Sequence, residues 1–565
     1  MVAGVHRTEA LNVAGSARSI VGFGDIVRGI VRRRIALVTA SAVLAVAPIV
    51  SAQTATTSEA PTPAVAPSNG AATEAVPIMA PVPPPLADGT AITPSAVGQT
   101  STNTPVETRS PNGAAIAPAG TPAPAAPTPE FLRRLLDGFS FGSYGRVVVA
   151  TDLRGHQGRQ ANIVSHGTRI DESTYAELEV HRDDDFGPVH TRVVATLGIL
   201  GPLFHETGQF SVNLAVRNLY LEERGAIHRD LTLWVGSRMY RGDDAYLLDW
   251  WPLDNLNTVG GGARFDAGEH VTVAAHFGIN RLDNNYQYQS VSVIPREGFG
   301  AAQVVLLDRP RFIGSLKATW WLNGRTARSG LKISLYGEVH GLPEGIRRNP
   351  ETNALEGLSS DNGFVAGAQI GLYSGQRNTY VNLWFRYGQG LGAYGDLNVP
   401  YTLTATQTSA LARDVVLAAA GNWESGPFGI LGAAYVRYFR DADPAVFSRN
   451  QLWEGTVVVR PTVWIGNHVG IAIEGSYQAV AMNMLDPVTG VGPRTGSLWR
   501  FGVIPFVTPA GRGNFTRPHL RLIYALTVRD DGARGMYAAD DPFARNSVEH
   551  FLGVGCEWWF NSSYL

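Results

Sequence analysis

Between residues 139 and 560 the chain runs in short stretches where apolar and polar residues alternate. Phe139, Phe141, Val147 and Val149 fall on one face, and Ser140, Tyr144, Arg146 and Val148 on the other. Thr174, Ala176, Leu178 and Val180 alternate with Tyr175, Glu177, Glu179 and His181. The pattern returns at 210–217, 331–338, 381–386 and 519–524. A period of two predicts β-strands with one apolar face. A soluble sandwich alternates in the same way, but two features point to a barrel in lipid. The polar faces carry bulky Arg, Glu, Tyr and Trp together, as a wet lumen would. Aromatic residues also gather near strand ends, at Trp320-Trp321, Trp464, Trp499 and Trp558-Trp559-Phe560, as in interfacial girdles. Roughly nineteen segments qualify as strands, and since single-chain bacterial barrels close with even numbers, leaving out the weakest, 300–308, predicts about eighteen. The expected fold is therefore all-β, a transmembrane antiparallel β-barrel wide enough for an aqueous channel. Segments 341–362 and 388–413 are expected to be external loops.

One stretch breaks the alternation. Residues 231–258, LTLWVGSRMYRGDDAYLLDWWPLDNLNT, begin as a strand and pass after Tyr240 into adjacent charges and rings without any period. Such a segment cannot bury its carboxylates in a core without partners, and in open water it would expose two neighbouring tryptophans. Folded into a walled, wet cavity it suits both, so it is expected to narrow a pore. Asp244 and Asp249 have two readings there: contact with a passing polar solute, or ion pairs to wall arginines such as Arg146, Arg192 or Arg238 that hold the loop. Trp250 is expected to wedge the loop against the wall.

The rest of the composition narrows the class. Net charge of -2 gives no sign of a nucleic-acid partner. The single cysteine, Cys556, excludes an internal disulfide and a Cys-cluster metal site; on the last strand it shares the lipid-facing side with Leu552, Val554, Trp558 and Phe560. His156, His166, His181 and His190 lack metal-ligand spacing and read as a solvated face, and Asp183-Asp184-Asp185 reads as a solvated turn. No metal or cofactor is expected. Arg32-Arg33-Arg34, an apolar run over 35–50 and small residues before Gln53 read as a signal peptide over 1–52. A retained anchor is the other reading, disfavoured because the run is short and contains Pro48. Residues 53–137 are rich in Ala, Pro and Thr and are expected to form a disordered periplasmic spacer, with cell-wall contact as a sharper alternative; 131–139 is expected to make one or two helical turns. The barrel domain is placed at 138–560, followed by a tail at 561–565.

Five stretches, taken in order, resemble the maltoporin family of sugar-specific outer-membrane porins: Ser143-Tyr144-Gly145-Arg146, Thr174 to Leu178, Leu233-Trp234-Val235-Gly236 through Asp244, Asp249 and Asp254, Phe515-Thr516-Arg517-Pro518, and Glu557-Trp558-Trp559-Phe560. The resemblance implies an eighteen-stranded barrel in the outer membrane of a Gram-negative bacterium, a homotrimer, and a channel in which sugars slide along a ladder of rings. On it, Tyr144, Tyr175, Phe515 and Trp559 are ladder positions, and Trp251 is the aromatic opposite them at the narrowest point. Arg146, Arg169, Glu177, Arg241, Asp244 and Asp249 belong to the polar track. Four departures stand out. The family's constriction arginine falls on Gly242, with Arg241 beside it; its constriction tyrosine is Trp251; its loop histidine falls on Tyr246. The cysteine pair of the first external loop is also missing. The expected activity is facilitated diffusion of maltodextrins or other oligosaccharides. The alternatives are a non-selective porin, a barrel enzyme, for which no G-x-S-x-G, H-E-x-x-H or P-loop is present, and a purely structural barrel.

Overall fold

The computed structural model describes residues 137–200, 213–293, 303–374, 379–443, 451–483 and 494–561. The segments assigned above to the signal peptide and almost all of the spacer lie outside these residues, as do most of the tail and the start of the strand expected at 210. Of the turns expected to be helical at 131–139, only the end is described: 137–138 form a turn and Phe139 opens the first strand.

The strands follow the alternation. In chain order they are β1 (Phe139–Thr151), β2 (Tyr175–Phe186), β3 (Val189–Leu200), β4 (Asn213–Arg224), β5 (Leu231–Arg241), β6 (Asn255–Ala267), β7 (Val271–Asn280), β8 (Tyr288–Ser292), β9 (Gln303–Asp308), β10 (Arg311–Trp321) and β11 (Gly330–Leu342). There follow β12 (Gly345–Arg348), β13 (Leu355–Leu358), β14 (Asp361–Ser374), β15 (Thr379–Gly390), β16 (Arg413–Ser425), β17 (Phe428–Arg440), β18 (Gln451–Ile465), β19 (Val469–Met482), β20 (Arg494–Val507), β21 (His519–Arg529) and β22 (Val548–Phe560). Eighteen of them form one antiparallel sheet, each strand paired with the next, and the sheet closes where β1 pairs β22 from Ser143↔Phe560 to Thr151↔Leu552. The segment left out of the count is a strand after all. β9 pairs with β8 in a separate two-stranded hairpin beyond the wall, and β12 with β13 in another, so the barrel keeps eighteen.

Short turns lie at one end and long loops at the other. Two of the turns are Gly-Pro pairs: Gly187 (φ 65°) before Pro188 and Gly426 (φ 56°) before Pro427. Positive φ at the first central position is what a two-residue II′ hairpin requires, and proline suits the second. Outer-membrane barrels place such turns in the periplasm and long loops outside.

The outward face is apolar: Val149, Leu178, Val235, Val259, Leu335, Phe385, Leu417, Ile473, Leu520 and Val554 are exposed on it. In a soluble protein this band would be an aggregation surface; in a bilayer it is the lipid contact. Trp320, Trp423 and Trp499 belong to it, and Trp558 lies over Gly145 with its indole N–H on Ser143 Oγ at 2.9 Å. Trp464, expected in the same girdle, is instead buried against Phe506, ring to ring at 5.1 Å, because strand pleating turns it inward between exposed Val463 and Ile465. The expected Asp183-Asp184-Asp185 turn is the end of β2, where Arg192 holds Asp183 at 2.6 Å and Arg182 holds Asp184 at 2.6 Å. The first is a cross-strand pair of opposite charges and the second a pair on one face of the same strand, and together they account for the carboxylates there.

Candidate functional site: a pore narrowed by two inward loops

The loop between β5 and β6, residues 242–254, turns into the barrel as expected. Its fold is locally determined. Ala245 N–H donates to Trp250 O at 2.7 Å, Tyr246–Leu248 makes one 3-10 turn, and Asp249 ends it in the left-handed region (φ 47°, ψ 47°). Leu247, Leu248, Trp250 and Leu253 are buried in an apolar cluster inside the barrel with Ala418, Ala433 and other small wall residues. Leu253 lies on Gly367, where a Cβ would come within 2.6 Å of it. Small residues on this part of the wall let the loop seat closely, and burial of its leucines contributes about 1.5–3 kcal/mol each.

Charges fix both ends. Asp243 is held by Lys332 and Gln369, and Asp254 by Lys317 at 2.7 Å. That second pair explains the missing arginine: a Cβ at Gly242 would stand 2.1 Å from Asp254 Oδ1 and 2.7 Å from Lys317 Nζ. The anchors are therefore not those expected. Of the three arginines expected there, Arg192 serves Asp183, Arg238 serves Glu222 at 2.8 Å, and Arg146 alone approaches the loop, 4.0 Å from Asp249. Asp249 stays 44% exposed to the lumen. Trp250 does wedge the loop: it is buried, and its ring stacks on His166 at 4.2 Å and meets Tyr435 at 5.2 Å. His166 is thus covered by a ring rather than set on a solvated face. His181 likewise lies between Glu179 and Asp183, at 3.5 and 3.7 Å.

The loop after β1 is a second inward segment, of which only Arg169 was singled out from the sequence. Ile163 N–H reaches Gln478 on β19, Ser165 N–H reaches Glu454 on β18, and His166 N–H reaches the Tyr435 hydroxyl on β17. It then returns under the first loop, where Arg169 N–H donates to Leu247 O at 3.2 Å. A third segment, the turn at 508–518, enters from the opposite end. Asn514 bonds Asn422 at 2.7 Å and Glu424 at 3.0 Å, which carries Phe515 inward.

These elements bring most of the expected residues together. Tyr175 and Tyr144 lie 6.0 Å apart, Tyr144 and Trp559 6.5 Å and near-parallel, Trp559 and Tyr246 6.1 Å, and Tyr246 and Phe515 5.3 Å. The series continues to Tyr380 on β15, which stacks on Phe515 at 6.3 Å. Tyr380 was not singled out from the sequence, although extending the inward face of Asn382 and Trp384 back by two residues reaches it. Beside the rings runs a polar row. Arg146 and Arg169 both donate to the Tyr144 hydroxyl, at 2.7 and 2.6 Å, and share Glu172, which no sequence signal marked. The Tyr175 hydroxyl and Arg217 (3.4 Å) both meet Glu177. Glu557, 2% exposed, takes Arg517 at 2.6 Å, Arg169 at 3.5 Å and Arg521. Arg241 and Trp251 stand apart from this row. The guanidinium lies 3.9 Å over the indole ring and bonds Asn255, and among the described residues Trp251 stacks on no ring of the series.

Asp244 has no ion-pair partner among the described residues, and its carboxylate accepts from its own backbone N–H. Burial pushes its carboxyl up to about 6 against the attraction of Arg169, and the charges of Asp249 and Asp243 add to the rise. It is anionic above that value and neutral below it. Acidifying from about pH 7.5 to about pH 5 is therefore expected to lower the pore's preference for K+ over Cl−, seen as a reversal-potential shift in a KCl gradient, and D244N is expected to flatten that dependence.

The family model for the LamB porin matches residues 139–560. The chain belongs to the LamB porin family. It is an outer-membrane porin, and its family and fold are those of a channel rather than an enzyme. A search of curated proteins finds no match. Solved structures with a similar fold include Pseudomonas aeruginosa OccD3 (OpdP), 10% identical, over 75% of this chain and 91% of that one, with a TM-score of 0.37. The outer membrane protein opdK of the same organism is 12% identical over 75% and 98%, TM-score 0.37, and OmpT of Vibrio cholerae in trimer form is 11% identical over 75% and 100%, TM-score 0.33. Likeness this distant carries no functional weight. Within the LamB porin, the rings and the polar row lie where the strand ends, the two inward loops and the 508–518 turn converge.

Proposed function

We propose that this LamB porin carries sugars by facilitated diffusion, with Tyr175, Tyr144, Trp559, Phe515 and Tyr380 as the platform and the row from Arg146 to Glu177 as its hydrogen-bonding partner. The observation that carries the reading is the near-continuous run of ring contacts with charged donors and acceptors along one side. A sugar ring has a C–H face and a rim of hydroxyls. Flat rings take the first without hiding the second, and charged groups bond the hydroxyls more strongly than neutral ones. Because the guanidiniums and carboxylates are already paired, a hydroxyl exchanges one partner for another, so binding stays weak enough for release, as conduction needs. Arg241 and Trp251 serve as a separate contact across the pore. A homotrimer is part of this proposal, to be checked by mass measurement in detergent.

The test is single-channel conductance in a planar bilayer, titrated with maltose, maltotriose, sucrose and glucose. Saturable current block by at least one sugar is expected, and the order of affinities names the sugar class. Steady open current unaffected by every sugar would replace this reading with a non-selective porin.

A further inference from the structure

We propose that Tyr246 interrupts the aromatic track and thereby limits the length of saccharide the pore binds; this rests on the sugar pathway proposed above. On either side of it a pair of rings lies near-parallel, Tyr144 with Trp559 at 23° and Phe515 with Tyr380 at 21°, and Tyr175 tilts to Tyr144 at 51°. Tyr246 stands crosswise to both its neighbours, at 80° to Trp559 and 77° to Phe515, and joins two rings that do not stack on each other. A ring held crosswise breaks the flat surface on which a sugar stacks and narrows the way from one platform to the next. The wall is thus divided into Tyr175, Tyr144 and Trp559 on one side and Phe515 and Tyr380 on the other.

The ring is held from every side. The Arg169 guanidinium lies 4.7 Å from its centroid, Arg517 donates to its hydroxyl, and that hydroxyl is 3.3 Å from Glu557. Only 7% of the residue is exposed, and the next two residues of its turn, Leu247 and Leu248, are buried. A swing of the side chain alone would leave Glu557 and Arg517 short of a partner, and a swing of the turn would expose two leucines, so the obstruction is fixed. A bound saccharide therefore stacks on one platform or the other and does not span both.

Current block by maltose, maltotriose and maltohexaose, together with KCl conductance, tests this in the wild type and in Y246A, Y246F and L248A, each checked for barrel fold by circular dichroism. In the wild type, affinity is expected to level off before the hexasaccharide. In Y246A maltohexaose is expected to bind about tenfold tighter while maltose is little changed, and KCl conductance rises. Y246F keeps the ring and is expected to keep the plateau. L248A loosens the same turn with the ring in place and is expected to keep it too. Wild-type behaviour of Y246A toward maltohexaose, or an L248A that matches Y246A, would overturn the proposal. Absence of sugar block in every protein would overturn the sugar reading, whereas an unchanged KCl conductance in Y246A would overturn the obstruction itself.

Discussion

Trp559→Ala is expected to weaken sugar block at least about thirtyfold, a loss of about 2 kcal/mol, as for a central aromatic contact in an interface. Trp559 is the node of the track. It stacks on Tyr144, meets Tyr246, and lies 4.0 Å beneath the Arg517 guanidinium. Its removal takes away a platform and also releases a cation from the ring face that oriented it. Trp559→Phe keeps a smaller flat ring and should recover most of the affinity. Titrating current block in the two variants separates the platform from general damage, since a misfolded barrel would lose block in both. An alanine variant with wild-type block would remove Trp559 from the pathway.

Glu557→Ala is expected to cost about 3–5 kcal/mol of barrel stability, the loss typical when one member of a buried ionic cluster is deleted. Glu557 is the carboxylate shared by Arg169, Arg517 and Arg521, and Arg517 and Glu557 are each 2% exposed. Without it these guanidiniums face one another with their common counter-charge gone. Two inward segments would loosen with it, since Arg517 belongs to the 508–518 turn and Arg169 to the loop after β1. The shift in urea midpoint of the refolded protein in detergent measures the effect. Glu557→Gln, which keeps an acceptor oxygen and loses the charge, should fall between the two. A midpoint unmoved by the alanine change would show that solvation by lumen water, rather than Glu557, stabilises the guanidiniums.

Much of this architecture is legible in the sequence because two of its causes are local. Strand pleating makes alternation a direct record of which face is lipid and which is lumen, so Val149 and Tyr144, or Val554 and Glu557, separate by eye. The break after Tyr240 marks the constriction loop for an equally local reason: leucines, tryptophans and carboxylates without a period fit neither a strand nor a helix. Tyr144, Tyr175, Phe515 and Trp559 could be chosen because they sit in short stretches that resemble a family, and the structure brings all of them into one series of contacts.

What the chain order could not supply was distance across the lumen. The loop after β1 has no period and no charge pattern of its own, and its course depends on Gln478, Glu454 and Tyr435, which are some 270 to 315 residues away along the chain. The same holds for the partners of the constriction loop. Arg192 and Arg238 looked eligible for Asp244 and Asp249, but their own strand neighbours lie closer, and Lys317 and Lys332 on β10 and β11 hold Asp254 and Asp243 instead. Tyr246 became a crosswise ring only because Arg169, Trp559 and the pair Phe515 and Arg517 arrive from three separate elements. Periodicity set the wall and its two faces, since each residue's side follows from its neighbours. Closure of the sheet decided what narrows the pore, since that depends on which distant side chains it brings within a few ångströms.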